Sequence, residues 1–218
     1  MKKLISLSVL MLLIYSANAQ TQFGLFAGPQ STWAKYTLKG EKQETSNKVG
    51  FQLGGAFKVP FEERLFFAPA AFYSMKGYKV DLQKRAFPPD TSAVDNNTTI
   101  HTFELAFLLQ YELGKKEQHF FIKAGQSLDF QLSGKEEYHK KDGSLVSQDM
   151  KFAFDAYVRV GANAVIQFGY EMKKGYFIYG QYSHGIGGIA NADKGPRIFH
   201  RVAGITIGKY LTTLGRGQ

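Results

Sequence analysis

From Phe152 to Tyr170 every second residue is apolar or aromatic, among them Phe152, Val158, Val160, Ile166, Phe168 and Tyr170. Most residues between them, such as Asp155, Arg159, Asn163 and Gln167, are polar, charged or glycine. Successive side chains of a strand point to opposite faces, so the pattern predicts one long strand with an oily face and a wet face. An ordinary globular strand runs about 5–6 residues. A tilted strand that crosses a bilayer needs roughly 9–11, and this stretch has pleat to spare.

Seven further segments carry the same rhythm: 23–33, 49–59, 65–78, 99–113, 120–132, 176–186 and 198–211. In 49–59, Val49, Phe51, Leu53, Phe57 and Val59 alternate with Gly50, Gln52, Gly54, Ala56 and Lys58. The segment 65–78 is apolar on both faces for its first half. The connections alternate as well. Those at 60–63, 114–118 and 172–175 are tight; those at 36–47, 79–98, 133–150 and 187–196 are longer and polar. Tight turns on one side and long loops on the other are the layout of an outer-membrane barrel. The expected fold is all-β, an eight-stranded antiparallel up-and-down transmembrane β-barrel with short periplasmic turns and longer external loops. A helical reading fails because no window shows a competing 3.6-residue period. Soluble barrels put the oily face inward and have no use for strands this long.

The first residues change the setting. Lys2 and Lys3 precede an apolar run from Leu4 to Tyr15 and an Ala17-Asn18-Ala19 cleavage site, which reads as a signal peptide over 1–19, with the barrel domain in 20–218. The net charge of +9 falls to +7 once Lys2 and Lys3 leave. For an exported chain the acidic partner this favours is a lipid headgroup such as lipopolysaccharide phosphate, not nucleic acid. No cysteine is present, so the fold holds without disulfides.

Four stretches carry a family resemblance: VGFQLGGAFKVPFEERLFFAPAAFYSMKGYK (49–79), TFELAFLLQYEL (102–113), FIKAGQSLDFQLSGK (121–135), and AYVRVGANAVIQFGYE leading into YFIYGQYSHGIGGI (156–189). Together they resemble the PorT-like outer-membrane β-barrel family of Bacteroidota. The chain departs from that pattern at Ala71, where a carboxylate is expected, and at 182–189. The resemblance implies a barrel of the cell envelope. Through the family's namesake it also implies a place in a secretion complex, with envelope proteins as partners beside the outer-membrane lipids. Without that link the expectation is a monomeric barrel with a structural or interaction role.

Candidate chemistry follows from which way each face looks. Polar faces turned inward bring Lys58, Glu104, Lys123, Asp129, Asp155 and Arg159 into the barrel, where charges must be paired. The expectation is a plug in which Glu104, Asp129 and Asp155 gather around Arg159 and Lys123. Lys35, Lys39, Lys48, Arg197 and Arg201 fall near outer strand ends, placed to meet lipopolysaccharide phosphates. Trp33, Tyr36, Tyr78, Tyr111, Tyr170, Tyr176 and Tyr210 are expected to form interfacial girdles. His101, His119, His139, His184 and His200 lie in separate elements without metal-site spacing, so no metal and no cofactor is expected. Ser183 and His184 are neighbours on a strand and point apart, and no G-x-S-x-G elbow is present, so no enzyme is expected.

Overall fold

The computed structural model describes residues 21–82, 92–153, 156–190 and 195–214. The expected signal peptide, 1–19, lies outside the described residues, as does Asp155. Eight long strands run through the chain: β1 (Thr21–Leu38), β2 (Lys48–Glu62), β3 (Leu65–Asp81), β4 (Asp95–Glu112), β5 (His119–His139), β6 (Val160–Glu171), β7 (Tyr176–Gly185) and β8 (Arg197–Leu214). Each pairs antiparallel with the next, and β8 returns to pair with β1 from Thr21↔Leu214 to Thr37↔Arg197. The sheet has become a ring, so no long strand is left with an open edge.

The alternation in sequence sets the two surfaces of that ring. Val49 is 77% exposed and Ile207 63%, and Leu53, Phe107, Leu109, Phe168 and Ile205 stand outward beside them. An apolar belt of this extent is stable only against hydrocarbon. Inward go Gln30, Thr32, Gln52, Lys58, Lys76, Glu104, Lys123, Asp129, Gln167 and Thr206, all buried. The faces are those of a membrane barrel.

Tight turns join β2 to β3, β4 to β5 and β6 to β7; the last holds Lys174 and Gly175 at positive φ (63° and 76°). The opposite end is built up. Short strands Glu41–Lys42 and Glu44–Ser46 pair with β1 and β3, and Leu145–Asp149 pairs with the far end of β5. β4 and β5 run past their expected ends to reach this crown.

One expected element is corrected. The strand expected over Phe152–Tyr170 begins at Val160. Residues before it turn back on themselves: Tyr157 N donates to Lys151 O (3.2 Å), and Val158 N to Ile189 O (2.9 Å). The physical reason is a better burial site. Phe152, Tyr157 and Val158 pack over the mouth onto a buried cluster that includes Tyr36, Leu38, Tyr78, Ile100, Tyr138 and Ile198. Their alternation marks a cap, not a strand.

Candidate functional site: the charged interior and the cationic seam

The interior is stacked in levels. Under the cap, the Glu136 carboxylate accepts from Tyr157 Oη (2.6 Å), Asn96 Nδ2 (3.2 Å) and Gln148 Nε2 (3.2 Å). These bonds tie the cap, β4 and the crown strand to β5. Burial first, and then the neighbouring Tyr78 and Glu136, hold the Tyr157 phenol well above its ordinary range.

Below lies the main ion cluster. Ser74, Lys76 and Tyr78 share the inner face of β3, and Lys76 Nζ reaches Glu104 at 2.7 Å and Asp129 at 3.1 Å. Ser127 Oγ also donates to Glu104 (3.3 Å), and Asn163 Nδ2 to Ser127 (3.2 Å). Gly161 leaves room for the acid, because a Cβ there would stand 2.2 Å from Asp129 Oδ1. Glu104 and Asp129 therefore meet in the interior around Lys76.

The two expected hubs are elsewhere. Arg159 is exposed just before β6, its Nη2 donating to Phe152 O (3.4 Å), because the segment that carries it belongs to the cap. Lys123 is buried lower down among aromatic rings, with Nζ 5.0 Å from the Phe121 centroid, 5.6 Å from Tyr179 and 5.8 Å from Phe177. Among the described residues it has no ion-pair partner, so cation–π attraction replaces the salt bridge.

Between Lys76 and Lys123 runs a polar ladder: Gln167 donates to Gln181 (3.4 Å), Gln181 to Gln52 (2.9 Å) and Gln52 to Thr206 (2.6 Å). A cavity of about 30 Å³ opens beside it. That is room for a few waters, not for a solute path. At the tight-turn end Lys58 Nζ bridges Glu112 (2.6 Å) and Glu171 (2.9 Å), with His119 against both.

On the outer face the β1–β8 seam carries cations at the long-loop end. Register places Trp33 opposite Arg201, Lys35 opposite Phe199 and Thr37 opposite both Arg197 and Lys42. Lys35 and Arg201 share a surface groove with Trp33 and Lys42. Lys39 and Arg197 share a second one above it. None of these five cations has an ion-pair partner among the described residues. Lys48 is separate: it lies across Gly77 and donates to Asn97 (2.7 Å) and Thr99 (2.5 Å). Lys42 was not in the expected set, although its place two residues beyond a Lys39-Gly40 turn was a readable signal.

The expected girdles divide. Tyr111 and Tyr176 are exposed on the outer face, and Tyr170 packs at a tilt against outward Phe120 (4.8 Å). Tyr36, Tyr78 and Tyr210 turn inward and are buried, because each shares the parity of the polar face. The outer rim gains Tyr182 instead, beside Trp33 (6.4 Å). Ser183 points inward while His184 faces out and meets Tyr182 Oη (3.2 Å), so the pair is split by the pleat.

A family model described as outer membrane protein beta-barrel domain matches residues 16–191. The chain is similar in structure to OprG from Pseudomonas aeruginosa, at 14% identity and TM-score 0.47, covering 90% of this chain and 98% of that one. It is also similar to Neisserial surface protein A, at 11% identity and TM-score 0.46 over 87% and 97%. Ail of Yersinia pestis, in complex with the heparin analogue sucrose octasulfate, gives 10% identity and TM-score 0.42 over 87% and 99%. No curated protein matches the sequence.

Proposed function

Since the chain belongs to the outer membrane protein beta-barrel domain family, and so resides in the outer membrane, we propose that it is a closed barrel that works by presenting surfaces and not by passing solutes. The interior supports this: side chains fill it at every level, and Lys58 and Lys76 are each buried between two carboxylates. A conducting path would have to break the Lys76 cluster.

The surface it presents is the seam. Lys35, Lys39, Lys42, Arg197 and Arg201 lie on the outward side of the β1–β8 seam and its turn, beside Trp33, without acidic partners among the described residues. This one observation carries the reading. Unpaired cations beside an interfacial aromatic at the long-loop end are complementary to the phosphates of lipopolysaccharide. The test is the thermal stability of the refolded barrel titrated with lipid A, with or without its phosphates. Phosphorylated lipid A should raise the unfolding temperature, and Arg201→Gln with Lys35→Gln should remove most of that gain. An equal gain from dephosphorylated lipid A would refute the reading.

The PorT-like resemblance supports a second reading, a barrel subunit of an envelope secretion complex. The raised crown strand Leu145–Asp149, with Leu145 exposed, is the surface it would use. Cross-linking from position 145 in intact cells should then capture an envelope protein; cross-links to lipid alone would dismiss it.

A further inference from the structure

At the tight-turn end, three strand termini converge on a set of ligating atoms that neither surface described above uses. Glu112 closes β4, His119 opens β5 and Glu171 closes β6, and His119 is paired across the ladder with Glu171. One ligating atom from each lies within 4.8 Å of the other two. Lys58 Nζ stands against both carboxylates, at 2.6 and 2.9 Å.

The orientation of His119 is the informative part. Its Nδ1 is 3.0 Å from the Lys116 carbonyl oxygen, which can only accept, so Nδ1 carries a proton. Nε2 is buried without a hydrogen-bond partner, in a residue only 8% exposed, and points at Glu112 (3.1 Å) and Glu171 (3.6 Å). A neutral ring held this way aims a lone pair at two carboxylates. Only a cation at Nε2, a proton or a metal ion, makes that arrangement attractive. A histidine fixed by Nδ1–H to a carbonyl with Nε2 free is the orientation that metal-bound histidines adopt.

We propose that Glu112, His119 Nε2 and Glu171 bind a divalent transition-metal ion of the zinc type, and that Lys58 is the built-in competitor for the two carboxylates. One imidazole with two carboxylates suits zinc; calcium and magnesium take oxygen ligands. Ligands on a common zinc stand about 2.0–2.2 Å from it, and the three ligating atoms, within 4.8 Å of one another, already surround the place such an ion would take. Lys58 has somewhere to go: its ammonium already lies 4.7 Å from the Phe66 ring centroid and 5.6 Å from that of Tyr210.

The experiment is isothermal titration of zinc chloride into the full refolded barrel in detergent micelles, with heat-dependent gel mobility as the check on folding. Wild type should bind one zinc per chain, and His119→Ala should weaken binding at least tenfold while keeping the folded mobility. Magnesium chloride should give no heat. Lys58→Met should bind zinc more tightly than wild type; unchanged affinity there would overturn the competitor role. Should Lys58→Met not fold, cobalt(II) absorption of wild type against His119→Ala reads nitrogen ligation directly. No zinc uptake by wild type, or equal uptake by His119→Ala, would overturn the site.

Discussion

Lys76 is 3% exposed and faces two carboxylates, so replacing it by methionine tests what holds the barrel interior together. At an effective dielectric of about 20, the contacts at 2.7 and 3.1 Å correspond to roughly 6 and 5 kcal/mol of Coulomb attraction. Desolvation of three ions offsets most of that gain. Removing the ammonium alone leaves Glu104 and Asp129 buried, charged and facing each other, which costs about 3–5 kcal/mol. Removing all three charges, with Lys76→Met, Glu104→Gln and Asp129→Asn together, should restore most of the loss. The assay is urea unfolding in lipid vesicles, followed by the fluorescence of Trp33, the single tryptophan. Arg159→Met serves as the control and should change stability by no more than about 0.5 kcal/mol, because Arg159 is exposed in the cap. A loss below about 1 kcal/mol for Lys76→Met, or a loss for Arg159→Met as large as that for Lys76→Met, would refute this account of the interior.

Gly161→Ala drives a Cβ into Asp129 Oδ1 and should cost about 1–3 kcal/mol, a penalty that shrinks when Asp129 is already alanine. Tyr157→Phe removes the 2.6 Å bond to Glu136, about 1.5–3 kcal/mol of local stability, and should speed proteolysis next to Tyr157 without changing folded gel mobility. The Tyr157 phenol is raised in the folded state, so its neutral form is the one the fold favours. Its contribution is therefore full below the ordinary tyrosine value and is lost as pH rises through the folded one. Absorbance titration should show one fewer late-ionising tyrosine in Tyr157→Phe than in wild type. Unboiled wild type should run faster on a detergent gel than boiled protein, and deletion of 197–214 should abolish the difference.

Much of this architecture was legible because a barrel wall has a period of two and each face meets a different solvent. Glu104 and Asp129 could be placed inside from parity alone. Parity also held Lys76, in the run Ser74-Lys76-Tyr78, but the double-sided apolar stretch before it, from Leu65 to Ala68, hid which face was inner. Arg159 was misplaced because the residues around it alternate for another reason: Phe152, Tyr157 and Val158 cover the mouth. The tyrosines went astray because an aromatic at a strand end serves a girdle or a core, and only its parity with neighbours decides. His119 was unreadable as part of a cluster. Its partners are nearest in space through strand pairing, and no local spacing in sequence records that.

The seam has a consequence for biogenesis. β8 is flanked by β7 on one side and β1 on the other, and it is the last of the eight strands to be synthesised. Until it arrives, β1 and β7 are both raw edges, and every outward leucine and phenylalanine faces water. A chain arrested before Arg197 is thus an open, self-adhesive ribbon, not a smaller barrel. Closure must wait for β8. Between export and insertion the polypeptide has to be kept from pairing with its own kind, and the final strand decides when that custody ends.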